Sequence, residues 1–116
     1  MDEVLRLASE LGRRIAQHER FLSLREAERL VEEDAATREL LCEAEEHRQR
    51  IAYLEAEGRP VEPEVKRTLR RLEEEIRMND KLQVLARAQA DYMELMNEVN
   101  AAIRAEMDRE PTRETQ

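Results

Sequence analysis

An apolar stripe runs along most of the chain with alternating steps of three and four residues, on both sides of one Gly/Pro turn. Before the turn it comprises Leu40, Ala44, His47, Ile51 and Leu54, and after it Val65, Leu69, Leu72, Ile76, Leu82, Leu85, Gln89, Tyr92, Met96, Val99 and Ile103. With this spacing a helix presents one narrow face to a partner helix. Gly58, Pro60 and Pro63 separate the two stretches, because Gly ends helices and Pro cannot continue them. The sequence therefore predicts two long helical arms folded back on each other.

Capping residues predict where the first helices begin. Asp2 is a suitable N-cap for a helix that ends near His18 and turns Val4, Ala8, Leu11 and Ile15 inward. The segment Ser23–Glu26 has the Ser-x-x-Glu pattern of a capping box, which predicts that a second helix begins at Ser23. Phe21 and Leu22 would then be buried in the corner between the two helices.

Each arm is expected to contain one break, at Asp34 and at Asn79, where a capping residue interrupts good helix formers. In an antiparallel hairpin with its apex near residues 59–60, positions whose numbers sum to about 119 face each other. The two breaks should then lie within one or two helical turns, about 7 Å along the axis. Both arms are predicted to bend at the same level. The resulting helices are expected over residues 35–57, 63–78 and 81–107.

The chain has 116 residues, of which 41% are charged and 3% aromatic. Two thin helices enclose too little interior to be stable alone, so further helices or a second subunit must cover the stripe. The expected fold is all-α: an antiparallel long-helix hairpin with kinked arms plus an N-terminal helix, assembled into an oligomeric helical bundle. Residues 1–108 are expected to form a single helical domain, and residues 109–116 a disordered tail.

The net charge of −8 opposes direct binding of DNA or RNA, whose phosphates repel an acidic surface. No apolar run approaches the length of a membrane span. Cys42 is the single cysteine, which fits a reducing compartment, and the N-terminal residues do not resemble a signal peptide. We expect a cytoplasmic protein that neither binds membranes nor takes a small-molecule substrate.

Side chains that could carry chemistry are few. Cys42 and His47 are five residues apart, so a helix points them to different faces, whereas a helical metal pair needs a spacing of three or four. The many glutamates fit solvated helix faces, and two thin helices supply no concave site for acid–base chemistry. We expect no catalytic residue, no metal and no cofactor.

Two groups of residues are candidates for binding a partner protein. The first, on the last helix, is wider than a single stripe requires and includes adaptable methionines: Tyr92, Met93, Met96 and Val99. Packing within the protomer is the alternative for this group. The second is the one basic cluster, near the tip of the hairpin, which could dock an acidic partner or simply form a solvated face: Lys66, Arg67, Arg70 and Arg71.

The chain resembles the YlbF/YmcA family of small helical bacterial proteins. The likeness lies in Leu5–Gly12, continuing through Phe21, Leu24, Ala27 and Asp34–Leu41, and in Ala90–Ile103, and with the hairpin between them it covers about residues 3–107. It implies an all-helical oligomer that acts as a regulator without enzymatic activity. Better-known relatives promote competence, sporulation and biofilm formation, within a complex that influences RNA processing through a ribonuclease.

Some of those relatives are associated with an iron–sulfur cluster held by cysteines, but this chain has only Cys42, so we expect no cofactor. The interpretation is a regulatory adaptor that forms homo-oligomers, or hetero-oligomers with related helical proteins, and docks on partner proteins. The alternative is an architectural coiled coil or a holdase-type chaperone. A holdase should expose apolar residues at the hairpin tip, whereas the tip here, Glu55–Glu62, is mostly polar.

Overall fold

The computed structural model describes residues 2–109, and these form five helices and no strand. The helices are α1 (Glu3–Ala16), α2 (Glu19–Glu32), α3 (Ala35–Ala56), α4 (Pro63–Met78) and α5 (Asp80–Asp108). The all-α class is therefore confirmed. Of the tail predicted for residues 109–116, only Arg109 is described, and the rest lies outside the described residues.

Two antiparallel arms make up most of the structure. One arm is α2 followed by α3 and the other is α4 followed by α5, so that α3 packs on α4 near the turn and α2 packs on α5 farther away. Gly58 has a φ of +68°, the left-handed conformation that closes a helix at low cost for glycine. Pro63 occupies the first turn of α4, where its missing N–H costs nothing. The predicted hairpin is confirmed.

The breaks in the two arms meet in one polar cluster, which we call the polar joint: Asp34, Thr37, Asn79 and Lys81. The Thr37 hydroxyl donates to Asp34 Oδ2 at 2.6 Å and accepts from Asn79 Nδ2 at 3.1 Å. Lys81 Nζ lies 3.3 Å from Asp34 Oδ2, and Asn79 caps α5 by accepting from the Leu82 N–H at 3.0 Å. The Asn79–Thr37 hydrogen bond and the Lys81–Asp34 ion pair join the two arms, which confirms that both bend at the same level.

The start of α2 differs from the prediction. The helix begins directly after His18, whose Nδ1 accepts from the Arg20 N–H at 3.0 Å, and Ser23 lies exposed inside it. The capping-box prediction is wrong because the imidazole nitrogen of His18 accepts a hydrogen bond from a backbone N–H, as a serine hydroxyl would, and so caps the helix earlier in the chain. No Gly or Pro delays the helix after that cap. Leu22 is consequently 53% exposed rather than buried, and Phe21 is half-buried.

The buried core is small and lies along the seam between the arms. Within residues 2–109 its apolar members are Ala27, Val31, Ala44, Leu72 and Ala88. Most of them are alanines, so the helices approach closely but enclose little volume. The molecule is elongated, measuring 70 × 36 × 26 Å. Most of the large apolar side chains in the stripe are only half-buried, and their remaining surface is open to another molecule.

Candidate protein-interaction surface at the open end of the hairpin

The end of the hairpin opposite Gly58, which we call the open end, carries α1, the start of α2 and the last turns of α5. Among the described residues, the exposed large apolar side chains lie almost entirely on these three helices. They are Val4, Leu5, Leu7 and Leu11 on α1, Leu22 and Leu30 on α2, and Val84, Met93, Ile103 and Met107 on α5. Tyr53 and Met78 are the two found elsewhere. The hairpin tip is therefore not where apolar surface is offered.

Helix α1 has two sharply different sides. Asp2 caps it as predicted, accepting from the Val4 N–H at 3.0 Å. The polar side is held by ion pairs within the helix, including Arg6–Glu3 at 2.7 Å. The apolar side is open, with Val4 69% and Leu7 53% exposed, and no residue of α1 is buried. The prediction that this side turns inward is wrong, because α1 makes its main contact with α2 near the corner.

Helix α5 extends beyond the helix it packs on. Arg20, in the first turn of α2, lies 3.7 Å from Glu98, which places the beginning of α2 level with that glutamate. Residues 99–108, which we call the free end of α5, continue for about another 15 Å. The stripe continues along it, with Val99 half-buried, Ile103 46% exposed and Met107 76% exposed. The protomer leaves this part of the stripe largely uncovered.

A shallow groove runs along the side of α2, from the corner after α1 toward the first turns of α5. Leu22 and Leu30 of α2 and Val84 of α5 line it, with Ala27 at its floor, and it encloses about 560 Å³. Its polar border consists of side chains from the corner after α1 and from α2, including Gln17 and Glu26. A shallow apolar groove with a polar border suits a protein side chain or helix better than a small molecule.

The predicted partner-binding residues of the last helix do not all lie on one exposed surface. Tyr92 packs on Phe21 of α2, with ring centroids 5.8 Å apart and a tilt of 59°. Met96 and Val99 are likewise half-buried. Met93 is 56% exposed and offers its side chain to solvent. The structure therefore separates Met93 from the other three, which contribute at least in part to packing within the protomer.

The predicted basic cluster lies on α4, at the opposite end from the exposed apolar side chains. Its four residues, Lys66, Arg67, Arg70 and Arg71, are all exposed. Arg67 pairs with Glu64 at 3.0 Å and Arg71 with Glu75 at 3.3 Å, both within α4. Exposed pairs of this kind are worth little, so the arginines can exchange these glutamates for an acidic partner.

The open end was not predicted as a binding surface, although the sequence contains signals for it. The apolar residues of α1 fall on one half of the helix circumference, wider than a single seam, and no other segment of matching pattern is left over to cover them. The two arms also differ in length, since residues 19–57 form the first and residues 63–108 the second. Comparing these lengths would have revealed the free end of α5.

The thiol of Cys42 is the single cysteine ligand that the chain could offer an iron–sulfur cluster, which is held by several thiolates. Cys42 is exposed, and the Glu46 carboxylate 3.7 Å away raises the pKa of its thiol, since a second negative charge is unfavourable there. Residues 2–109 also contain no group of three or more His, Cys, Asp or Glu side chains arranged to hold a metal. One chain therefore does not fit such a cluster.

Among the described residues, no helix combines the length and apolar character that crossing a lipid bilayer requires.

Comparisons with known proteins give a consistent picture. The family described as control of competence regulator ComK, YlbF/YmcA, matches residues 4–108. The fold is similar to that of Bacillus subtilis RicA in an X-ray crystal structure of its complex with RicF, with a TM-score of 0.77 and 20% sequence identity. The similarity covers 86% of this chain and 89% of RicA. A search of curated proteins gives no match.

Proposed function

This chain belongs to the YlbF/YmcA family, and we propose that it is a non-enzymatic regulatory adaptor of the cytoplasm that oligomerises and docks on partner proteins. The observation that carries the proposal is the concentration of exposed large apolar side chains on α1, α2 and α5. Contiguous exposed apolar surface of this kind marks protein–protein interaction sites. The complex of RicA with RicF supports it further, because there a protein of the same fold binds another protein.

An adaptor needs surfaces that remain ordered when the partner is absent. The polar joint supplies this, since one hydrogen bond and one ion pair join the two arms at the level where each one bends. The open end is therefore presented by a hairpin with a defined bend, and binding need not pay for ordering the arms. Met93 on α5 and the basic cluster on α4 are then two separate places at which partners can dock.

The test is recovery of partner proteins by the tagged full-length chain from its native cells, quantified by mass spectrometry. Met93→Glu should reduce recovery of the specific partners by roughly tenfold or more, as expected for a central interface residue, while circular dichroism shows unchanged helix content. Met78→Glu is the matched control, because Met78 is a methionine that is 67% exposed and lies at the end of α4 rather than on α5. It should recover partners as the wild type does.

A second variant tests the basic cluster by replacing both Arg67 and Arg70 with Glu. This charge reversal should abolish recovery of any acidic partner and should not affect partners that bind through Met93. Leu72→Glu is the control for unfolding in the same assay, because Leu72 is 1% exposed and a buried, unpaired carboxylate destabilises the fold. If the wild-type chain recovers no partner that any of the surface variants loses, the adaptor proposal is wrong. The architectural coiled coil then becomes the better description.

A further inference from the structure

The single chain exposes far more surface than its mass requires. Its accessible surface is 9517 Å², whereas a compact monomer of 13.7 kDa exposes about 6,600 Å². The excess of about 2,900 Å² exceeds what one partner loses in a standard interface and suits the large interfaces of permanent homodimers. The radius of gyration of 21.6 Å likewise exceeds the roughly 13 Å expected for a compact chain of this length. The protomer is therefore more extended, and exposes more surface, than a compact monomer of its size.

Two uncovered apolar faces begin near the same recess of the molecule. Helix α1, about 21 Å long at 1.5 Å per residue, exposes its apolar side. The free end of α5, about 15 Å long, exposes Ile103 and Met107. Both start from one place, since His18, Leu95 and Glu98 line a common recess. Their similar lengths allow the apolar side of α1 in one molecule to cover the free end of α5 in a second molecule.

We propose that α1 of one copy packs its apolar side on the free end of α5 of a second copy, and that the reverse contact forms at the same time. In a two-fold dimer, residue i of one subunit contacts residue j of the other and j contacts i. Because both faces lie at the open end, one axis there brings the two contacts together. Leu7 and Ile103 are central to them. This inference rests on the proposed function, of which it specifies the self-association.

The charge of α1 favours its packing on a second copy of the chain. Residues 2–16 carry three acidic and three basic side chains, so they are neutral, whereas the whole chain carries −8. Two such acidic chains repel each other at most surfaces, but a neutral helix approaches the partner without that penalty. The arginines of α1 are already paired within the helix, for example Arg13 with Glu10 at 2.9 Å, so none needs a new partner in the dimer.

The first test measures the dimer dissociation constant of the purified full-length chain by sedimentation equilibrium. Leu7→Glu and Ile103→Glu should each raise it about 100-fold, because each substitution falls twice in a two-fold dimer. Ser9→Glu and Ala105→Glu lie on the opposite sides of the same helices and should leave it unchanged within about threefold. All four positions are exposed, so circular dichroism should show a folded chain in each case.

A charge exchange shows which faces meet. Leu7→Lys combined with Ile103→Glu places opposite charges together if α1 contacts the free end of α5. This pair should dimerise about tenfold more tightly than Leu7→Glu combined with Ile103→Glu. Ser9→Lys combined with Ile103→Glu has the same net charge but holds the lysine away from the contact. It should not restore dimerisation, which separates the local effect from the effect of net charge.

Three results would overturn the inference. One is a wild-type chain that stays monomeric at micromolar concentration, and another is a dimer that neither Leu7→Glu nor Ile103→Glu weakens. The third is a charge-exchanged pair no tighter than the doubly acidic one, which would show that α1 does not contact the free end of α5. The adaptor function is judged separately, because loss of partners in Met93→Glu does not require a particular dimer.

Discussion

The substitution Thr37→Val tests whether the polar joint stabilises the bent hairpin. Valine has nearly the shape of threonine and its β-branched constraint in a helix, so the change removes one hydroxyl from a site that is 1% exposed. That hydroxyl donates to Asp34 and accepts from Asn79. At about 1 kcal/mol for each net hydrogen bond, the free energy of unfolding should fall by about 2 kcal/mol.

The measurement is urea denaturation followed by circular dichroism at one fixed protein concentration, because self-association makes apparent stability depend on concentration. With a denaturant dependence of about 2 kcal/mol per molar urea, the midpoint should move down by about 1 M. Thr37→Ser keeps the hydroxyl and loses one methyl group, so it should cost about 0.8 kcal/mol and preserve the joint. Thr68→Val is the matched control, on α4 and half-buried but outside the joint.

The reasoning would be refuted if Thr37→Val were as stable as the wild type, or if Thr68→Val cost as much. Equal stability would mean that the two breaks merely lie near each other. A larger loss in Thr37→Ser than in Thr37→Val would also contradict the account, since the serine variant retains both hydrogen bonds. In each of these cases the arms would be held by the apolar seam alone, and their bend would follow from packing.

Further changes test the caps, the turn and the response to acid. His18→Ala should cost roughly 0.5 to 1 kcal/mol in urea denaturation, whereas Ser23→Ala should cost little, because His18 caps α2. Gly58→Ala should cost about 1 kcal/mol owing to its positive φ, while Gly12→Ala, inside α1 with open space around it, should raise helicity. A donated hydroxyl and a nearby lysine in the polar joint lower the pKa of Asp34. Its contribution is therefore present at neutral pH and lost as the pH falls below about 4, so Asp34→Asn should show a weaker loss of stability in that range.

The fold could be predicted from the sequence because its signals are local or follow from antiparallel geometry. The stripe gives the helices, and Gly58 and Pro63 give the turn. The distance of each break from that turn places the two breaks within one or two helical turns of each other, as the Asn79–Thr37 hydrogen bond confirms. The cap of α2 could not be predicted in this way. Several side chains before a helix can accept the same N–H, so the choice between them depends on tertiary structure rather than on the motif.

The candidate site was harder to predict because periodicity identifies which side of a helix is apolar but not what covers it. Tyr92 and Met93 are neighbours in an apolar segment, yet one packs on Phe21 and the other is exposed. That difference depends on where α2 lies across α5. Periodicity has the same limit for α1. Its sequence pattern is that of a helix with one side in the core, but that side is exposed in the protomer. A chain that buries its faces only on assembly carries the same pattern as one that buries them on folding, and the accessible area of the folded protomer distinguishes the two.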